Sequence, residues 1–199
     1  KKADFDVDST AALSDEERKI KAWSAQAALE MDGKAPTPVF DGEGSDIIVD
    51  YRDVKIAGFL STFVGTTAAD RDGDYVADGA FDKTLAEFRK NPVMLTDHMN
   101  RVSSLAGSFT KIGVNKKGLA VEGTLSNAPD VISTRFKVAE GHLKTMSMGG
   151  LFFFNPDGRG IEEVTLFEGS LTPVPANPDA IVQVRSLTAI DAAKAMKSF

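Results

Sequence analysis

Lys144-Thr145-Met146-Ser147-Met148-Gly149-Gly150-Leu151-Phe152-Phe153-Phe154 runs into Asn155-Pro156-Asp157-Gly158, and Gly160-Ile161-Glu162-Glu163-Val164-Thr165-Leu166-Phe167-Glu168 follows. Two strand-forming runs around such a turn are a β-hairpin signal. Successive side chains of a strand point to opposite faces. Met146 and Met148 therefore share a core-facing side, while Ser147 and Gly149 project from the other. With the turn centred between Pro156 and Asp157, Ser147 is expected to pair with Leu166. Glu168 then lies on the face of Ser147 and diagonal to it. Diagonal neighbours are about 7–8 Å apart, roughly the gap an imidazole fills. A slip of one residue would send Glu168 to the opposite face.

The remaining chain is also dominated by strands. Val54 to Val64 is a β-rich run, and Asp70-Arg71-Asp72-Gly73-Asp74 reads as a turn. A short helix is expected from Phe81 to Arg89, ended by Asn91-Pro92, because proline disfavours helix in the residue before it. Two strands come next. In the second, Leu119, Val121, Gly123 and Leu125 alternate with Ala120, Glu122, Thr124 and Ser126, a period of two. Asn127-Ala128-Pro129-Asp130 opens a helix that Gly141 stops, with Asn127 as the expected cap. A proline-rich loop from Thr172 to Pro178 precedes a short strand, Ile181 to Arg185. Thr188 with Asp191 is expected to cap a last helix.

Ahead of these elements, Ser14 with Glu17 forms a capping box, and Ile20, Trp23, Ala27 and Met31 recur at helical spacing. Lys34 to Gly44 is a linker rich in proline and glycine. The expected organisation is an N-terminal helical arm with linker over residues 1–46 and a compact domain over 47–199. Strands with inserted helices, lacking regular βαβ alternation, give the α+β class.

Composition narrows the chemistry. Hydrophobic residues make up 42% and charged residues 26% of the 199, ordinary for a globular protein. The net charge of −6 argues against a nucleic-acid partner. No run is long enough to span a bilayer, and the first residues turn acidic at once, so neither a membrane segment nor a secretory leader is expected. With no cysteine, disulfides, thiolate metal sites and a cysteine nucleophile are excluded. The Asp70–Asp74 cluster fails the calcium-loop pattern, because Tyr75 and Phe81 stand where glycine and glutamate are needed. No cofactor or metal is expected.

Imidazole catalysis is limited to His98 and His142. His98, in Thr96-Asp97-His98-Met99-Asn100, follows the apolar run Val93-Met94-Leu95, and a strand end opening into a polar loop suits a catalytic base. His142 follows the helix-stopping Gly141 and reads as structural. The sequence thus permits a triad of Ser147, His98 and Glu168. A serine hydroxyl needs an adjacent base. His98 would take its proton, and Glu168 would fix the imidazole tautomer and stabilise the imidazolium.

From about Ile56 to Val184 the chain resembles the caudovirus prohead protease family, related to herpesvirus assemblin. The resemblance is carried in order by Gly58-Phe59-Leu60-Ser61-Thr62-Phe63, Asp70-Arg71-Asp72-Gly73-Asp74, Gly79-Ala80-Phe81, Asp97-His98, Gly118-Leu119 and Met146-Ser147-Met148-Gly149. Glu168-Gly169-Ser170-Leu171 and Pro175-Ala176-Asn177-Pro178 complete it. It implies a small β-barrel-like antiparallel core with surrounding helices. It also implies a serine endopeptidase, with His98, Ser147 and Glu168 at the family's catalytic positions. The implied substrate is the major capsid protein precursor with its scaffolding segment, cut inside the prohead in the bacterial cytoplasm. Self-cleavage and a homo-oligomer are compatible with it. Gly150 and Gly169 stand where the family has a bulky residue and often valine. The contrasting reading is a non-enzymatic capsid assembly or scaffolding protein with the same fold.

Overall fold

The computed structural model describes residues 49–63 and 69–191. The arm helix expected from Ser14 to Met31 and its linker lie outside the described residues, as do residues 192–199. In chain order the elements are β1 (Val49–Thr62), β2 (Tyr75–Val76), α1 (Leu85–Phe88), β3 (Val93–Thr96), β4 (Leu105–Asn115), β5 (Gly118–Leu125), α2 (Ile132–Ala139), β6 (Met146–Phe154), β7 (Gly160–Leu171) and β8 (Val182–Asp191).

The strands form one sheet in the order β2-β7-β3-β4-β5-β1-β8, with β6 on the remaining side of β7. Consecutive antiparallel neighbours β4 and β5 are joined through Lys116 and Lys117, and β5 continues onto β1. Leu119, Val121 and Leu125 of β5 are buried, as their alternation predicts. They pack with Ile56, Leu60, Phe81, Met94, Met146 and Leu171 in one apolar core. Each such side chain contributes about 1.5–3 kcal/mol on full burial.

Two features of the expected barrel are corrected. The sheet is not closed: between the chain ahead of β6 and that ahead of β8 there is an isolated bridge, Thr145 with Ile181, instead of a ladder. Nor is it wholly antiparallel, because β2 and β3 both pair with β7 in parallel, β2 at Gly160–Ile161 and β3 at Gly169–Leu171.

The helices are shorter than expected. Of the Phe81–Arg89 segment, Leu85–Phe88 is helical. The turn before it is committed to β7: the Ala80 carbonyl accepts from Val164 N–H, and Thr84 Oγ1 accepts from Leu166 N–H at 2.7 Å. The next helix begins as a 3-10 turn, Pro129–Val131, and ends at Gly141, whose φ of +76° reverses the chain. Asn127 is not its cap. Its side chain accepts from Asp53 N–H and donates to Asp53 Oδ1, tying the helix entry to β1. Thr188 and Asp191 do not start a helix either, since they extend β8 along Arg52 and Val49 of β1. A local capping pattern yields there to long-range pairing.

Candidate active site

The β6–β7 hairpin places the first two candidates. Ser147 pairs with Ser170, where Leu166 was expected, and Gly149 pairs with Glu168. Two irregularities account for part of the difference. Gly149 and Gly150 face Glu168 and Leu166, so Phe167 is an extra residue; Phe153 and Phe154 face Glu163 and Ile161, so Glu162 is another. Such bulges switch which face the following residues occupy. Val164 and Leu166 point into the core, yet beyond the Phe167 bulge it is Gly169 and Leu171 that do so. Glu168 and Ser170 are thereby turned to the outer face shared with Ser147 and Gly149.

Gly149 is required by this arrangement. A Cβ built there would overlap Oε1 of Glu168, so the carboxylate lies over the glycine. Gly169, where the resemblance suggests valine, leaves the pairing intact: it faces Met148 on one side and Met94 on the other. The space a Cβ would need is taken by Phe109, 2.6 Å away at Cζ.

His98 arrives from β3. Asp97 and His98 have φ of 52° and 57°, left-handed backbone that aspartate and histidine tolerate better than most residues. Each such residue costs on the order of 1–3 kcal/mol and persists only where its surroundings hold it. Here Asp97 N–H donates to the Leu171 carbonyl at 3.1 Å, and His98 N–H to Ser170 Oγ at 3.1 Å. Both bonds pin the turn to the end of β7. The imidazole Nδ1 lies 2.6 Å from Glu168 Oε1, and Ser170 Oγ donates to Glu168 Oε2 at 2.6 Å. The Glu168 side chain is 11% exposed and that of His98 41%.

The hydrogen bond to Glu168 raises the His98 pKa above its ordinary 6.5; partial burial opposes this, and the charges of Glu168 and Asp97 reinforce it. With Nδ1–H given to Glu168, Nε2 carries the lone pair that a base needs.

The structure thus joins His98 to Glu168 directly and leaves Ser147 outside that bonded pair. Among the described residues the Ser147 hydroxyl makes no hydrogen bond to His98. Ser147 lines a cavity of about 180 Å³ with Thr62, Tyr75 and Asn177. His98 and Glu168 line a neighbouring cleft of about 730 Å³, walled by Val93, Leu95, Leu105 and Phe167. Met148 and Phe152 border both. Asn177 braces the smaller cavity, accepting from Thr62 Oγ1 at 3.1 Å and donating to the Thr62 carbonyl at 3.2 Å. The Asp70 turn braces it too: Asp70 Oδ1 accepts from Asp72 and Asp74 N–H, and Arg71 donates to the Pro175 carbonyl. Partial burial, then the nearby Asp70 and Asp72, raise the Asp74 pKa. His142 sits beyond Gly141 with its ring 3.7 Å from Glu140 and no part in this site.

Sequence reasoning assigned no role to Ser170. The signal was present, since Glu168 and Ser170 are two apart on a strand and so share a face.

Comparison with known proteins bears on the whole domain. The model of the caudovirus prohead serine protease family matches residues 46–195. Among solved structures, the chain is similar to a KSHV protease in complex with a hexapeptide phosphonate inhibitor, at 9% identity and a TM-score of 0.39, over 66% of this chain and 64% of that one. A second KSHV protease gives 10% identity and a TM-score of 0.35, over 65% of this chain and 59% of that one. The chain therefore spans somewhat under two thirds of the length of either protease. No curated protein matches it. A family match across three quarters of the chain, over the segment that carries Ser147, His98 and Glu168, decides the assignment: the chain belongs to the caudovirus prohead serine protease family.

Proposed function

We propose that the chain is a serine endopeptidase of capsid maturation, its peptidase domain spanning residues 47–199, with Ser147 as nucleophile, His98 as general base and Glu168 as orienting acid. The observation that carries the reading is the 2.6 Å bond between His98 Nδ1 and Glu168 Oε1, on the strand face that also bears Ser147. A histidine fixed by a carboxylate has a chosen tautomer, and its free Nε2 is the base a serine requires.

In the proposed reaction Ser147 Oγ attacks the scissile carbonyl while His98 Nε2 takes its proton. The imidazolium, stabilised by Glu168, then gives that proton to the leaving amine. Water, activated by the same imidazole, releases the acyl group and restores the serine. The apolar cleft beside His98 would seat the substrate chain. The substrate is the capsid protein precursor, from which the scaffolding segment is removed within the prohead, and copies of the protease itself are further candidates for cleavage.

Ser147 standing outside the His98–Glu168 pair is consistent with an enzyme at rest, because nucleophile–base contacts commonly tighten only with substrate bound. The same observation favours the second reading, a non-enzymatic assembly protein. Co-expression with the capsid precursor separates the two. A shortened precursor with the wild-type chain, and an intact one with Ser147→Ala, is the expected result. An intact precursor with both, when capsids still assemble, would support the assembly role instead.

A further inference from the structure

We propose that Ser170 is a positioning residue for the His98–Glu168 pair, holding the carboxylate and the histidine backbone with one hydroxyl. The inference rests on the reading of His98 as base and Glu168 as its acid. Ser170 is 0% exposed, so it is not itself a nucleophile open to substrate. A carboxylate only accepts hydrogen bonds and a backbone N–H only donates. The hydroxyl proton is therefore committed to Glu168 Oε2 at 2.6 Å, and an oxygen lone pair receives His98 N–H at 3.1 Å. The His98 ring then returns to Oε1 of the same carboxylate at 2.6 Å.

These three bonds close a ring that runs from Ser170 Oγ through the Glu168 carboxylate and the His98 imidazole to the His98 backbone and back. Each component fixes something different. The bond to Oε2 stops the carboxylate from turning about its last torsion. The bond from His98 N–H holds the second of two consecutive left-handed residues, and so the height of the ring above β7. A serine that merely filled space could be replaced by alanine at little cost to the chemistry. A serine closing this ring could not, because removing its hydroxyl strips one partner from Oε2 and one from His98 N–H together.

The test uses the full chain with Ser170→Ala, Ser170→Cys and Ser170→Thr. Cleavage kinetics across pH are read beside an NMR titration of the two histidine rings, with His142 as internal reference. Ser170→Ala is expected to lower kcat by up to about 100-fold, the cost of a slight misplacement of a positioned group, with KM little changed. The acid limb of the pH profile and the His98 titration should both move to lower pH, since the bond to Glu168 is what raises them, while His142 stays in place. Ser170→Thr should restore both. Ser170→Cys, nearly isosteric and a weak donor, gives the same downward movement should the alanine variant prove unstable. An unmoved His98 titration in folded Ser170→Ala or Ser170→Cys would overturn the proposal, as would loss of activity in them with the acid limb unshifted. The titration needs no turnover. Cleavage retained by Ser147→Ala would therefore remove the catalytic reading and leave the Ser170 result to be judged alone.

Discussion

Gly149 faces Glu168 across the β6–β7 ladder, and the Glu168 carboxylate occupies the space that a side chain at position 149 would need. The obstructing atoms belong to the far end of a flexible side chain, so Gly149→Ala should fold while displacing the carboxylate from His98. Activity should fall at least about 10-fold, with destabilisation of about 1–3 kcal/mol from overpacking. Circular dichroism and peptidase assays on the same preparation check this; full activity in a folded Gly149→Ala would contradict the placement of Glu168.

The pH dependence follows from His98. A base works when neutral, and the bond to Glu168 raises its pKa above 6.5. The acid limb of kcat/KM should therefore inflect above 6.5, and Glu168→Gln should move it down while reducing the rate. Stability runs in the opposite direction to activity. The folded-state pKa is raised, so the stabilisation is complete below the unfolded value and is lost as pH rises through the folded one. Thermal melts across that range should show this slope in the wild type and a flatter one in Glu168→Gln.

Arg135 gives a prediction about the scaffold. Its guanidinium is fully buried and donates to the carbonyls of Tyr51 at 2.5 Å, Ser126 at 2.7 Å and Ala128 at 3.0 Å, locking α2 to β1 and to the end of β5. Arg135→Met leaves buried carbonyls without their donors, at about 1–3 kcal/mol for each group left unsatisfied. A loss of about 3 kcal/mol corresponds to a melting temperature lower by about 6–12 °C in a chain of this size. Active-site chemistry in the cold should survive, because Arg135 makes none of the bonds around His98.

The hairpin shows how far the sequence could be read. Its existence and the core-facing methionines followed from periodicity, and the shared face of Ser147 and Glu168 from an assumed turn centre. The register did not. The connection is the loop Pro156–Arg159, held by Asn155 Oδ1 accepting from Gly160 N–H at 2.9 Å, where a turn centred between Pro156 and Asp157 was expected. The extra residues Glu162 and Phe167 displace it further, until Ser147 meets Ser170. Glu168 lies two positions from the expected partner Leu166 and two from the observed partner Ser170, with no bulge between it and Ser170, so its diagonal relation to Ser147 survived a mistaken pairing. Bulges depend on what the opposite strand must accommodate, and only the Gly149-Gly150 pair hinted at one.

Elsewhere the failures share a cause. Asn127 and Thr188 carry local capping chemistry, but each is engaged by a segment distant in sequence, Asp53 for the first and Arg52 for the second. The contact of His98 with Glu168 spans 70 residues, and no periodicity reaches that far. The choice between only two histidines put His98 forward as the partner of Ser147 and Glu168, and the resemblance placed it at the family's catalytic position.

The most direct measurement is intact-mass analysis after treatment with a serine-reactive fluorophosphonate, followed by peptide mapping, on the wild type and on Ser147→Ala and His98→Ala. A single adduct on the Ser147 peptide of the wild type, absent from both variants, is the expected result, since nucleophile and base act as a unit. An adduct on another serine, or one on Ser147 that persists without His98, would contradict the assignment.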